Sequence, residues 1–200
     1  MTIIVGLTGG IASGKSTTTK ILKSKKIPVH DSDLVVTDIY EKPNKKFIDF
    51  LKRINLKESI NKNKIDKKII REVVFSNKAK KKQLEDHLHL EVKKSRERFL
   101  KKQERAKANI VFLDIPLLFE KKLNHICDYV VLLTAPISIR KKRALKRKGM
   151  SVEILNKILK TQLVDGIKKK KANFIINTSG KKSLLSKKIF DIVNEILEKK

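Results

Sequence analysis

Residues 6–19 read GLTGGIASGKSTTT, and this stretch decides the fold. Gly9, four further residues, and then Gly14, Lys15 and Ser16 match the nucleotide-binding pattern G-x-x-x-x-G-K-[ST]. Glycine permits a loop whose backbone N–H groups point inward at a phosphate chain. The apolar run before the loop predicts a buried parallel strand, and the segment after it predicts a one-sided helix whose N-terminus faces the anion.

The loop predicts ATP and Mg²⁺ as ligands. Lys15 is expected to reach the β- and γ-phosphates, and the Ser16 hydroxyl to bind Mg²⁺. The alternative is a glycine-rich turn with a chance lysine, which leaves the flanking strand and helix patterns unexplained. The predicted nucleotide-binding residues of the loop are Gly9, Gly10, Ile11, Ala12, Ser13, Gly14, Lys15, Ser16 and Thr17.

The net charge of +28 suggests a nucleic-acid-binding protein, but the kinds of basic and aromatic residues argue against one. A length of 200 residues predicts a single domain, 1–200, and the formal net charge is +28. Of the 49 basic residues only eight are arginine, the side chain favoured for bidentate phosphate and base recognition, and aromatic residues make up 5%. The lysines are spread along the whole chain, so we expect no specific nucleic acid as a partner.

Cysteine content and hydropathy indicate the compartment. Cys127 is the only cysteine, so the chain can form no intrachain disulfide, and we expect a cytoplasmic protein. No stretch approaches the ~20 apolar residues of a membrane span, and residues 1–7 run straight into the loop without a signal peptide. We expect no membrane partner and a monomer or weak homo-oligomer.

Three further features lie beyond the loop. Asp31 and Asp33 follow a predicted strand at 27–31, where ligands bind in open α/β sheets, although Ser and Asp also cap helices. Residues 34–108 show helical periodicity and predict a helical insertion that covers the acceptor substrate. Predicted strands at 109–114, 129–134 and 174–177 complete a parallel sheet, and Asp114 ends the first of them as a candidate Mg²⁺ ligand.

Residues 137–152 predict a lid. Arg143 and Arg147 are four residues apart, so on a helix they project from one face and form a clamp for phosphates. A solvated charged helix is the alternative, and Arg140 is a third candidate.

Together these motifs resemble the dephospho-CoA kinase family. The resemblance spans nearly the whole chain and includes LTGGIASGKST, Asp31-x-Asp33, Leu84-Glu85 with His89, P-L-L-x-E at 116–120, the lid arginines with Gln162, and ANFIINTSG at 172–180. It implies an α/β fold of the P-loop nucleoside-kinase kind, with a parallel five-stranded sheet, helices on both faces, a helical substrate-binding insertion and a lid.

The resemblance also implies a reaction and a site. The reaction is ATP-dependent phosphorylation of the 3′-hydroxyl of dephospho-CoA, giving coenzyme A and ADP. The implied catalytic residues are Asp33 as general base, Lys15, Arg143 and Arg147. Ser179 and Gly180 would help to hold the adenine. The implied acceptor-binding residues are Asp31, His89, Pro116, Leu117, Leu118 and Glu120.

Departures from the family pattern and other functions stay open. Leu90 stands where the family has proline, Asn173 where it has aspartate and Thr178 where it has asparagine. A kinase of another small metabolite, such as a nucleoside monophosphate, is the alternative enzyme. A basic, nucleotide-dependent nucleic-acid-binding protein is the alternative of another class.

Overall fold

The computed structural model describes residues 1–62 and 64–199. The chain divides into two compact units, one made of Met1–Asp31 and Leu100–Lys200 and the other of Ser32–Phe99. The strands are β1 Ile3–Gly9, β2 Val29–Asp31, β3 Ile60–Asn61, β4 Lys64–Ile65, β5 Ile110–Asp114, β6 Tyr129–Thr134 and β7 Phe174–Asn177. The helices are α1 Lys15–Ser24, α2 Ser32–Glu41, α3 Lys45–Arg53, α4 Lys67–Ser76, α5 Lys78–Arg105, α6 Ile137–Leu145, α7 Val152–Thr161, α8 Asp165–Lys171 and α9 Lys182–Glu198.

The first unit is built on a five-stranded sheet in the order β2-β5-β1-β6-β7, with every pairing parallel. The five strands predicted from the sequence are confirmed, with β2 beginning two residues later than expected. β1 is the central strand of the sheet, between β5 and β6. Its apolar residues are buried on both faces of the sheet, as is typical of a central parallel strand. The loop after β1 therefore leaves from the middle of the carboxyl edge of the sheet.

Helices α1 and α9 pack against this sheet. Leu22 of α1 and Ile189 of α9 have no exposed surface and share a core with Val5, Phe112 and Val131 of the strands. The periodic apolar residues predicted in the closing helix form its buried face. Leu22 lies one turn and a half beyond the end of the phosphate loop, so the same core that stabilises the unit anchors the helix that carries the loop.

The second unit contains α2, α3, α4 and most of α5, around a separate apolar core that includes Phe47, Leu51 and Ile70. It covers most of the predicted insertion 34–108. It also contains an antiparallel hairpin, β3–β4, where only helices were expected. Each strand of the hairpin has two residues, too few to produce the alternating pattern by which strands are predicted.

Helix α5 runs for 28 residues without a break. Leu90 lies in its middle, at the position where the resemblance leads one to expect proline. A proline there removes an N–H group from the helix ladder and crowds the preceding turn, whereas leucine keeps the ladder intact. Among the described residues, each helix is too short or too polar to span a bilayer.

Replacing Leu22 tests the core that anchors α1. We expect Leu22→Ala to lower the free energy of unfolding by about 2–5 kcal/mol, because it leaves a cavity in a fully buried site. Leu184→Ala is the matched control, since Leu184 is 53% exposed and its loss is expected to cost less than about 0.5 kcal/mol. Urea titrations monitored by circular dichroism measure both values, and equal midpoints for the two variants would contradict the assigned core.

Candidate active site

The phosphate loop connects β1 to α1. Gly9 ends β1, Gly14 precedes the first turn of α1 with φ +96°, and Lys15 is the first helical residue. The N–H groups in the first turn of a helix have no partner within the helix, and Gly14 provides no side-chain cap. Because these groups carry partial positive charge, the loop presents an anion-binding end to solvent. The predicted strand, loop and helix are therefore confirmed in their positions.

Inside the loop, two contacts set the backbone. The N–H of Ser13 donates to the carbonyl of Gly10 at 3.1 Å, which closes a turn. The ammonium group of Lys15 lies 3.4 Å from the carbonyl oxygen of Gly9, so the lysine folds back over the loop. Ser16 is exposed and Thr17 half-buried, as expected for residues that meet a ligand from solvent.

Thr178, directly after β7, joins the loop to a lid arginine. Its hydroxyl oxygen lies 2.9 Å from the carbonyl of Ser13 and 3.2 Å from that of Thr134, and the residue is buried. Arg143 of α6 donates to the carbonyl of Thr178 at 2.8 Å and to its hydroxyl at 3.3 Å. A single hydroxyl thus connects α6, β6 and the phosphate loop, and this contact was absent from the sequence prediction.

Gln162, just after α7, contacts the opposite side of the loop. Its side-chain oxygen accepts a hydrogen bond from the N–H of Ile11 at 3.0 Å. A Cβ built on Gly10 would overlap a guanidinium nitrogen of Arg140 and lie 3.2 Å from the side-chain oxygen of Gln162. Only glycine at position 10 therefore lets Arg140 and Gln162 approach the loop, which explains the second glycine of the Gly9-Gly10 pair.

Two carboxylates lie at the same edge of the sheet as the loop. Asp114 ends β5, and its Cα pairs in register with Leu7 of β1 on one side and Asp31 of β2 on the other. Asp114 is buried and accepts a hydrogen bond from the hydroxyl of Thr19 at 2.9 Å, which holds its carboxylate beside α1. Ser16 is three residues before Thr19 and thus on the same side of that helix.

This donor set fits Mg²⁺. Mg²⁺ is bound in such sites by one or two carboxylates together with phosphates and water, instead of a complete protein cage. The hydroxyl of Ser16 and the carboxylate of Asp114 meet that requirement. The described part of the chain contains no cluster of three or more His, Cys, Asp or Glu side chains that could hold a metal ion.

The three predicted arginines have three different environments. Helix α6 ends at Leu145, so Arg147 lies beyond it and is exposed. The expectation that Arg143 and Arg147 share a helix face is therefore wrong. Arg140 is buried and forms an ion pair with Asp165 at 3.0 Å, and its Nε donates to the carbonyl of Ala135 at 3.1 Å. Arg140, the third candidate, is thus buried and paired inside the first unit.

The P-L-L-x-E segment contributes packing and pairing where substrate contacts were predicted. Leu118 has no exposed surface and contacts Gly6, and the carbonyl of Pro116 accepts from the hydroxyl of Thr8 at 3.1 Å. Glu120 pairs with Lys168 at 2.7 Å and accepts from the N–H of Leu163 at 2.9 Å. Leu117 remains half-buried. The side chains of Leu118 and Glu120 are therefore engaged inside the first unit.

Asp33 and His89 belong to the second unit. Asp33 is exposed in the first turn of α2, two residues after Asp31, and His89 is exposed on α5. The sequence prediction missed the neighbouring His87, whose ring stacks on Phe50 with centroids 3.9 Å apart. Both rings line a crevice of about 470 Å³ that also includes Arg53 and Leu90.

Burial lowers the pKa of His87. The neighbouring Glu91 carboxylate opposes this effect, and the charges of Lys94 and Arg53 add to it. The lowered pKa of His87 favours the neutral form of the ring that stacks on Phe50.

The turn after β7 keeps the polar surface predicted to meet adenine. Ser179 and Gly180 are exposed, and the N–H of Ser179 donates to the side chain of Asn177 at 2.9 Å. Asn173 lies at the other end of β7, where its side-chain oxygen accepts from the N–H of Val130 at 2.8 Å. An aspartate would accept the same bond, so Asn173 is a strand-pairing residue outside the candidate site.

Gly14 provides a test of the loop conformation. We expect Gly14→Ala to lower the free energy of unfolding by about 1–3 kcal/mol, because φ of +96° is strained for an L-residue and the new Cβ would lie 3.3 Å from Thr178. Gly166→Ala in α8 is the matched control. No atom lies within 4 Å of its Cβ position, so we expect a gain of about 0.4–1 kcal/mol. Urea unfolding of both variants measures these free energies. A Gly14→Ala variant that is more stable than the wild type would refute the loop geometry.

Comparisons with known proteins identify the family of this chain. The family model for dephospho-CoA kinase matches residues 3–183. The dephospho-CoA kinase of Bacillus licheniformis is 35% identical over 181 residues, covering 90% of each chain. A solved structure from Thermus thermophilus superposes with a TM-score of 0.79 at 32% identity and covers 97% of each chain. The dephospho-CoA kinase of Campylobacter jejuni superposes with a TM-score of 0.73 at 27% identity, covering 99% of this chain and 98% of that one. This chain therefore belongs to the dephospho-CoA kinase family.

Proposed function

We propose that this protein transfers the γ-phosphoryl group of ATP to the 3′-hydroxyl of dephospho-CoA, giving coenzyme A and ADP. The observation that supports the proposal most directly is the uncapped N-terminus of α1, with Lys15 at its start and Asp114 and Asp31 along the same sheet edge. Family membership supports the choice of acceptor. Phosphoryl transfer needs positioning and charge stabilisation more than covalent chemistry, and this edge provides both.

Each residue of the site has a proposed task. The N–H groups of the loop and the ammonium group of Lys15 bind the β- and γ-phosphates and stabilise charge on the transferred group. Ser16 and Asp114 hold Mg²⁺, which neutralises phosphate charge when it is bound. Ser179 and Gly180 contact the adenine. The proposed compartment is the cytoplasm, because the single cysteine, Cys127, can form no intrachain disulfide.

Asp33 acts as the general base in this proposal. Its carboxylate takes the proton of the acceptor hydroxyl while the hydroxyl oxygen attacks the γ-phosphorus. The bond between that phosphorus and the bridging oxygen breaks, and ADP leaves. Asp33 lies two residues after the strand residue that pairs in register with Asp114. Asp31, His89 and Leu117 are proposed acceptor contacts, and residues 137–152 the lid that closes over the phosphates.

The two lid arginines, Arg143 and Arg147, have separate roles in this proposal. Arg143 already binds Thr178, which binds Ser13 of the loop, so its guanidinium is held next to the nucleotide end of the site. Arg147 is exposed in the turn after α6 and provides the second positive charge of the proposed clamp. Arg143 is therefore expected to depend on Thr178 for its position, whereas Arg147 is not.

A coupled assay of ADP release tests the function. With dephospho-CoA as acceptor we expect turnover that Lys15→Ala lowers by about 10²–10³-fold or more, because the change removes a charge that stabilises the transition state. Lys20→Ala is the matched control, since Lys20 is an exposed residue of α1, and it is expected to keep full turnover. AMP serves as the alternative acceptor. Turnover with AMP and none with dephospho-CoA would refute the proposed substrate.

The role of Asp33 is tested by the split between catalysis and binding. We expect Asp33→Asn to lower kcat by about 10²–10⁴-fold while the KM for ATP changes little, because the base acts on the acceptor hydroxyl. Asp49→Asn, an exposed aspartate on α3, is the control for a surface charge change in the same unit. Steady-state kinetics at fixed ionic strength give both constants. A loss in kcat under about threefold would leave Asp33 without a role as base.

A further inference from the structure

The turn between α7 and α8 holds the phosphate loop through one side chain. The side-chain oxygen of Gln162 accepts from the N–H of Ile11 at 3.0 Å, although the two residues are 151 positions apart in the chain. The N–H of Ile11 can only donate, so the atom that faces it is the amide oxygen of Gln162. Through this hydrogen bond, the turn that follows α7 contacts the backbone of the phosphate loop.

Two ion pairs fix this turn. On one side Glu120 accepts from the N–H of Leu163, the residue after Gln162, and pairs with Lys168 at 2.7 Å. Lys168 has no exposed side-chain surface and Glu120 only 11%. On the other side Asp165 pairs with the buried Arg140 at 3.0 Å. The backbone from Gln162 to Lys168 is therefore held at three points, Leu163, Asp165 and Lys168.

A contribution to stability does not by itself explain the buried ion pair of Glu120 and Lys168. Removing two charges from water is costly, and replacing a buried ion pair by apolar groups of similar size often leaves stability unchanged or raised. What such a pair supplies is a defined geometry, because each charge must meet its partner at one position. Here the geometry that it defines is that of Leu163 and, through it, of Gln162.

We propose that Gln162 is a positioning residue for the phosphate loop, and that the ion pair of Glu120 and Lys168 acts on catalysis through it. Ile11 adjoins the glycine against which Arg140 packs, so a shift of Gln162 releases the loop at the point where Arg140 also contacts it. Misplacing phosphate-binding groups by about 1 Å can cost as much as 10²-fold in rate. One measure of the role of Gln162 is kcat/KM for ATP, and its use rests on the proposed kinase function.

The first test replaces the amide. Gln162→Met keeps the length of the side chain and removes the acceptor. We expect kcat/KM for ATP to fall by about tenfold or more with an unchanged urea midpoint, because Gln162 is half-buried at the end of a helix and its bond fixes the loop alone. Hydrogen exchange of the Ile11 amide, measured by NMR without substrate, should become faster in the variant. Gln103→Met on α5 is the matched control and should match the wild type in all three measurements.

The second test asks whether the ion pair acts through Gln162. The double variant Glu120→Gln with Lys168→Met removes both charges, and we expect it to lose kcat/KM for ATP to a similar degree and to speed exchange at Ile11. Added to Gln162→Met, it should cause no further loss, because residues that act along one path are not additive. Losses that multiply would show two separate roles and overturn the second half of the proposal. Should the double variant not fold, Glu120→Asp, which shortens the carboxylate and keeps its charge, takes its place in the same cycle.

The outcomes separate this inference from the proposed function. A wild type that does not phosphorylate dephospho-CoA refutes the proposed function, while exchange at Ile11 and calorimetric binding of ATP still test the role of Gln162. An active wild type whose Gln162→Met variant equals it in kcat/KM and in exchange at Ile11 overturns the inference alone.

Discussion

A loop that binds phosphate through most of its backbone N–H groups has few of them left to hold its own shape, and here those of Ile11 and Ser13 do so. In this chain the shape is held by side chains from far along the sequence, with Thr178 bound to the carbonyl of Ser13 and Gln162 to the N–H of Ile11. Gly10 and Gly14 leave the space for these contacts. These contacts fix the loop in one conformation, and such preorganisation is a main source of catalytic electrostatic stabilisation.

Burial, and not residue type, decides what the basic residues do. Arg140, Arg143 and Arg147 lie within eight positions of one another, yet the first is paired with Asp165, the second binds Thr178 and the third is exposed. Lys168 begins a run of four lysines but is fully buried against Glu120. A charged group in the interior requires a partner, whereas an exposed one is screened by water and ions. The formal charge of +28 therefore includes side chains with entirely different functions.

The departures from the family pattern are compatible with an intact site. Asn173 accepts a backbone hydrogen bond from Val130 that a carboxylate would also accept, at the end of β7 away from the loop. Leu90 keeps the N–H that an uninterrupted α5 requires. The side chain of Thr178 is short, so its hydroxyl lies between the carbonyl groups of Ser13 and Thr134. In each case the residue present in this chain is compatible with the hydrogen bonds of the backbone around it.

The parts of this protein that depend on neighbouring residues could be predicted from local sequence patterns. The five strands, the loop and the helix after it follow from apolar runs and glycine spacing, since backbone conformation and hydrophobic periodicity depend on near neighbours. Only the tertiary structure decided the end of α6 at Leu145, the hairpin β3–β4, the packing of Leu118 and the pairing of Glu120. It also decided that Gln162 meets Ile11. The contacts of Glu120 and Gln162 depend on which surfaces come together across 43 and 151 positions of chain, and no local pattern records which polar side chain lies opposite which backbone group.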